Sequence, residues 1–81
     1  MSVDSEWSFV GAVPDGHSLI IEGLDVWKYE WTDTRERVHV EDPLYHQKFT
    51  FHIYEIRSSD KLVRFTAGEF SNCMWGFYAR H

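Results

Sequence analysis

The chain has 81 residues, a length that fits one domain and excludes a large core, because a domain of this size buries only about 60% of its unfolded surface. Its 4 Trp, 4 Tyr and 6 Phe compensate, since aromatic side chains bury the most area per residue. A net charge of −5 disfavours non-specific binding to nucleic acids and to anionic membranes, so neither is an expected partner.

The cysteine content and the hydropathy pattern point to the cytoplasm. Cys73 is the one cysteine, so no disulfide forms within the chain, which favours a reducing compartment. Residues 1 to 6 are polar and lack the apolar region of a signal peptide, and no apolar run reaches the ~20 residues of a membrane span. We predict a cytoplasmic protein with a disordered N-terminus at 1–6 and a single all-β domain at 7–81.

The first predicted element is a hairpin. An apolar run at 7–13 stops at Pro14-Asp15-Gly16-His17, where proline presets φ and glycine accepts a positive φ. The segment 18–21 then returns as a second strand, with Val10 opposite Ile21. Both faces of this hairpin are apolar, so we expect it to be covered on two sides.

Gly23-Leu24-Asp25 interrupts the alternation and predicts a bulge or a sharp bend. From Val26 the period of two resumes and predicts a strand. Asp33-Thr34-Arg35-Glu36 is predicted as a polar turn that closes a hairpin, with Trp31 opposite Val38. Asp42-Pro43 makes the next corner, since proline cannot donate to a central ladder.

The stretch from Phe49 to Ile56 has the clearest strand pattern, with apolar residues at odd positions and polar or amphipathic ones at even positions. A three-residue loop at Ser58-Ser59-Asp60 would set Val63 opposite Glu55. A last turn at Phe70-Ser71-Asn72 leads into the final strand.

These registers place most apolar side chains on one face of five consecutive strands. That set contains Trp27, Tyr29, Trp31, Val38, Val40, Phe49, Phe51, Ile53, Val63, Phe65, Ala67, Trp75, Phe77 and Ala79. A slip of one residue in any hairpin would scatter it. We predict an all-β fold of six to seven antiparallel strands with little or no helix, a hairpin meander curled into a small barrel or a strongly twisted sheet.

The charged side chains on the other face suggest a metal site. Its members are Glu30, His39, Glu41 and His46, two histidines and two carboxylates in two adjacent cross-strand rows. Imidazole and carboxylate are ligands that zinc accepts. The competing interpretation is a solvated face of alternating charge, favoured by the lysines between these residues, and we assign no cofactor.

The excess of aromatic residues suggests two further sites. A curled sheet would enclose a ligand pocket formed by Trp27, Trp31, Phe51 and Trp75. On the second face, Tyr54, Arg64 and Tyr78 would form one row, and these are residue types enriched at protein interfaces. The competing interpretation is that the rings only fill a thin core.

No nucleophile elbow, zinc motif or phosphate loop occurs in the sequence, which favours a protein without enzymatic activity. The leading hypothesis is an interaction module that acts through protein–protein contacts, either with another protein or as a homodimer. The alternative is a small-molecule-binding β-barrel with an aromatic pocket. A metal-dependent enzyme is a third hypothesis.

Overall fold

The computed structural model describes residues 6–43 and 46–80, which are almost entirely β-structure. Their antiparallel strands are β1 (Trp7–Pro14), β2 (Ile20–Ile21), β3 (Leu24–Asp25), β4 (Thr32–Glu41), β5 (Lys48–Ser58), β6 (Lys61–Ser71) and β7 (Met74–Arg80). A short 3-10 turn at Val26–Lys28 is the helical content of this part of the chain. The predicted all-β fold with seven strands and little helix is confirmed.

Five strands form one open sheet in the order β1-β7-β6-β5-β4, and β2 pairs with β3 in a separate ribbon. Of the two predicted shapes, the twisted sheet is confirmed and the closed barrel is wrong. Across residues 6–43 and 46–80, no helix has the length and hydropathy needed to cross a bilayer.

The first strand pairs differently from the prediction. The turn at Pro14 to His17 forms as expected, with the His17 N–H donating to the Pro14 carbonyl at 3.0 Å and Gly16 at a φ of 83°. However, β1 pairs with β7 and not with residues 18–21, so that Trp7 lies opposite Arg80. Pairing with β7 engages the whole length of β1, which the short returning segment cannot do.

The predicted N-terminal tail at 1–6 lies outside the described residues except for Glu6. The Glu6 carboxylate accepts a hydrogen bond from the Arg80 guanidinium at 2.9 Å. This side-chain contact lies at the start of β1 and the end of β7.

The predicted bend at Gly23 is a tight hairpin. Glu22 and Gly23 have φ values of 50° and 85°, and Ile21 lies opposite Leu24, which defines a two-residue turn of the type that suits twisted hairpins. The strand predicted from Val26 is wrong, because the Asp25 carboxylate accepts the Trp27 N–H at 3.1 Å and starts the 3-10 turn there.

The predicted turn at Asp33 to Glu36 is a bulge inside β4. Asp33 lies opposite Tyr54 and Arg37 opposite His52, so three residues of β4 face the single residue Ile53. The Thr34 hydroxyl donates to the Ile53 carbonyl at 2.8 Å and replaces the missing ladder bond. The hairpin that was predicted to set Trp31 opposite Val38 is therefore wrong.

The hairpin between β5 and β6 differs from the prediction by one residue. Its turn contains Ser59 and Asp60 alone, and Val63 lies opposite Ile56 instead of Glu55. Because successive side chains point to opposite faces, this shift moves the apolar residues of β6 and β7 away from those of β4 and β5. The prediction of one apolar face is wrong, and the sheet is apolar on both.

The core consequently has two parts. The covered core contains Ile21, Val26, Ile56, Val63, Phe65, Ala67 and Phe77. It lies between the sheet and residues 19–31, which we call the covering segment. The concave core, on the other face, contains Trp7, Val38, Val40, Phe51, Ile53 and Tyr78.

A hydrogen bond across the concave core shows how strongly the sheet curls. The Tyr78 hydroxyl on β7 donates to the carbonyl of Glu41 on β4 at 3.1 Å. These strands are three positions apart, or about 14 Å in a flat sheet at ~4.8 Å per strand, which exceeds the reach of a tyrosine. The sheet must therefore bend around Tyr78, which is 2% exposed.

Replacing Gly68 with alanine is expected to destabilise the fold by about 1–3 kcal/mol, because the added Cβ would overlap the Phe51 ring. Gly11→Ala is the matched control, since its Cβ would lie at an ordinary 3.5 Å from Leu19. Urea unfolding of both variants measures the difference. Equal stabilities would show that Phe51 does not pack on Gly68.

Tyr78→Phe is expected to cost about 1 kcal/mol, because the Glu41 carbonyl loses its donor. Burial, followed by the charges of Asp42 and Glu41, raises the pKa of Tyr78 from 10.0 to about 12. The contribution of the protonated Tyr78 hydroxyl to the stability of the fold is thus complete below pH 10.0 and is lost as the pH rises towards 12. Unfolding from neutral to alkaline pH should show this loss in the wild type but not in the variant.

Candidate functional site

An open groove of about 260 Å³ lies on the sheet beside the covering segment. It is lined by Thr50, Phe51, His52, Tyr54, Ala67, Gly68, Glu69 and Trp75. The cross-strand pairs of His52 with Ala67 and of Glu69 with Trp75 bring three strands together there. Strand alternation places most of these side chains on the same face as the covered core.

The aromatic wall of the groove is held by the covering segment. The ring centroid of Trp31 lies 5.2 Å from that of Tyr54 and 5.7 Å from that of Trp75. Trp27 also packs edge-on against Trp75, at 5.8 Å. Tyr54 and Trp75 are both half-buried, so part of each side chain is fixed and part faces solvent.

A hydrogen-bonded histidine and carboxylate border the groove. The imidazole of His52 contacts the Asp33 carboxylate, with Nδ1 and Oδ2 2.8 Å apart. The other oxygen of Asp33 accepts the Arg35 N–H at 2.8 Å. The Arg35 N–H and then the His52 hydrogen bond lower the pKa of Asp33. The bulge in β4 thus holds a negative charge behind the imidazole.

Two further groups shape the electrostatics of the groove. Burial, and then the charge of Asp33, raise the pKa of Tyr54, so its hydroxyl stays protonated at neutral pH. Glu69 is exposed, and its Oε2 accepts the Cys73 N–H at 3.1 Å in the turn between β6 and β7. This bond holds the Glu69 carboxylate near the turn.

The residues predicted to form a ligand pocket are only partly together. Trp27, Trp31 and Trp75 adjoin one another, with centroids 5.1 to 5.8 Å apart. Trp75 and Phe51 line the groove, whereas Trp27 and Trp31 pack behind it on the covered core. Phe51 belongs to the concave core because strand alternation turns it to the other face.

The predicted interface row does not form. Tyr54 lies opposite Phe65, on the face of the covered core. Arg64 points to the other face, where its guanidinium pairs with Glu55 at 3.1 Å and with Glu36. Tyr78 is buried in the concave core. The one-residue shift between β5 and β6 is what separates Tyr54 from the other two.

The predicted metal ligands are also not gathered. His39 contacts the Thr50 hydroxyl at 3.0 Å, and His46 lies 3.7 Å from Glu41, while Glu30 precedes β4. The predicted rows set His39 beside Lys48 and Glu41 beside His46. They are wrong, because Glu41 lies opposite Lys48 and His39 lies opposite Thr50. Among residues 6–43 and 46–80, no three His, Cys, Asp or Glu side chains are placed to hold a metal ion.

The contact between Asp33 and His52 does not follow from the sequence pattern, which predicts a turn at Asp33 and no histidine partner for it. The sequence does contain one signal of the local conformation. An aspartate two residues before the residue whose N–H it accepts is typical of an Asx turn, which can sit within a bulge as well as between strands. The partner of that aspartate depends on strand register.

Comparisons with known proteins assign no function to the chain. No protein-family model, curated protein or solved structure matches the chain.

The pKa of Asp33 is expected to lie below its ordinary value of 3.8. Its interactions therefore stabilise the fold well above pH 3.8, and this stabilisation is lost as the pH falls through the lower pKa of the folded state. The stability difference between the wild type and Asp33→Asn should shrink over that range, in acid unfolding followed by circular dichroism. Asp60→Asn, in the exposed turn between β5 and β6, is the control. If the stability difference between the wild type and Asp33→Asn did not change with pH, the lowered pKa of Asp33 would be contradicted.

Proposed function

We propose that this protein is a non-enzymatic binding module whose groove holds a side chain of a partner polypeptide. The observation that carries the proposal is the aromatic wall, in which Tyr54 and Trp75 line the groove and are only partly buried. Aromatic residues that are fixed on one side and open on the other are characteristic of interface anchors.

The size and openness of the groove favour one side chain over a whole small molecule. Pockets that enclose small molecules commonly measure about 300–1,000 Å³. The groove has about 260 Å³ and is open to solvent. A side chain presented by a longer chain needs no full enclosure, because the rest of its partner contacts the surface around the groove.

The chemistry of the lining suits recognition. It includes aromatic rings, one carboxylate, the hydroxyls of Thr50 and Tyr54, and the imidazole of His52, whose Nδ1 contacts Asp33. We assign these groups to orientation of a bound side chain. A small molecule that stacks on Tyr54 and Trp75 is the second candidate, favoured by the same rings.

We place this activity in the cytoplasm, because the thiol of Cys73 is free and exposed and the fold is held without a disulfide. Self-association is included in the proposal, since a second copy of the chain is one source of the inserted side chain.

The test is an NMR titration of the labelled protein with twenty capped tripeptides of the form Gly-X-Gly, one for each amino acid X. At least one class of X is expected to shift the Trp75 indole and the Gly68 amide saturably. Thr50→Gln, which adds bulk at an exposed position of the groove, should weaken that binding by about tenfold, or ~1.4 kcal/mol.

Leu62→Gln is the control, because Leu62 is 44% exposed and lies outside the groove. It should leave the titration unchanged. A set of twenty peptides in which none shifts the groove resonances would overturn the proposal.

A further inference from the structure

We infer that the side chain taken by the groove is cationic, a lysine or an arginine of a basic partner segment. The inference rests on the proposed function and adds the chemistry of the ligand. It follows from the charge of the lining, the faces of its rings and the rigidity of its walls.

The charge of the groove is negative. Glu69 is the one acidic residue of the lining, and the lining contains no lysine or arginine. A second carboxylate, Asp33, lies behind the groove, 2.8 Å from the His52 imidazole. The chain as a whole has a net charge of −5, which adds long-range attraction for a basic partner.

The rings of the groove favour a cation in the same place. The face of an aromatic ring carries negative potential and attracts ammonium and guanidinium groups within about 6 Å of its centre. The chain makes this contact elsewhere, where the Arg80 guanidinium lies 5.6 Å from the centroid of the Trp7 ring. In the groove, Trp75 supplies such a ring opposite Glu69 in the strand ladder, and Tyr54 supplies a second ring in the lining.

Several of the chain's own cationic groups are held elsewhere. Arg64 pairs with Glu55 and Glu36 on the opposite face of the sheet, and Lys61 donates to the Glu22 carbonyl. Arg80 is held by Glu6 and Trp7 at the β1 edge. Three of the chain's eight lysine and arginine side chains are thus engaged away from the groove.

The groove is also preformed, because its rings are held by packing within the chain itself. Tyr54 packs on Trp31 and Phe65, with centroids 5.2 and 6.0 Å apart, and Trp75 packs on Trp27 and Trp31. Binding therefore orders few protein side chains, which spares the entropy that a flexible site would lose.

The experiment compares two capped peptides, Gly-Lys-Gly and Gly-norleucine-Gly, which differ by the terminal ammonium group. Each is titrated into the labelled full chain at neutral pH, at low and at high salt. The lysine peptide is expected to shift the Trp75 indole and the Gly68 amide with at least ~10-fold higher affinity than the norleucine peptide, and to lose affinity in high salt.

Glu69→Gln should reduce the affinity of the lysine peptide by a larger factor than that of the norleucine peptide, and so bring the two affinities together. The glutamine oxygen can still accept the Cys73 N–H, so the turn is preserved. Glu22→Gln is the matched control, because it removes the same charge from an exposed turn outside the groove. It should leave lysine binding unchanged.

The outcomes separate this inference from the proposed function. If norleucine binds the groove as tightly as lysine, or if only uncharged peptides of the twenty-member set bind, the cationic preference is overturned and the binding module stands. Equal losses in Glu22→Gln and Glu69→Gln also overturn it, since they reduce the effect to net charge. If none of the twenty peptides shifts the groove resonances, the proposed function itself is overturned.

Discussion

The pairing of Ile56 with Val63 is the constraint on which the rest of the fold depends. Side chains alternate along a strand, so this one register decides which face each residue of β6 and β7 occupies. It places Phe65 and Phe77 on the face opposite Phe51 and Ile53. Because both faces of the sheet carry apolar side chains, both must be shielded from water. The covering segment and the curvature of the sheet provide this shielding.

The two faces are buried in different ways. Residues 19–31 cover one of them, by means of the β2–β3 hairpin and the 3-10 turn capped by Asp25. The other face is buried by curvature, which brings β4 towards β7 and lets Tyr78 reach the Glu41 carbonyl. The bare Cα of Gly68 permits this packing, because it lets the Phe51 ring lie directly against the sheet.

The groove lies at the edge of the covering segment, where the cover of the sheet ends. Trp31 holds one side of Tyr54 and of Trp75, and the other side of each is left open. The bulge in β4, stabilised by Thr34, turns Asp33 towards His52 at the same edge. The covering segment and the bulged strand together produce an aromatic surface with a carboxylate beside it, and the proposed binding role is based on this surface.

The sequence by itself determined the all-β class, the strand character of 49–56 and the turn at Pro14 to His17, because these depend on alternation and turn chemistry between near neighbours. It also singled out Trp75 and Phe51, which line the groove. Only the tertiary structure decided the register of β5 with β6, the pairing of β1 with β7 and the contact between Asp33 and His52. The physical reason is that a period of two is the same in every register, so a loop shorter by one residue reverses the faces without changing the local pattern.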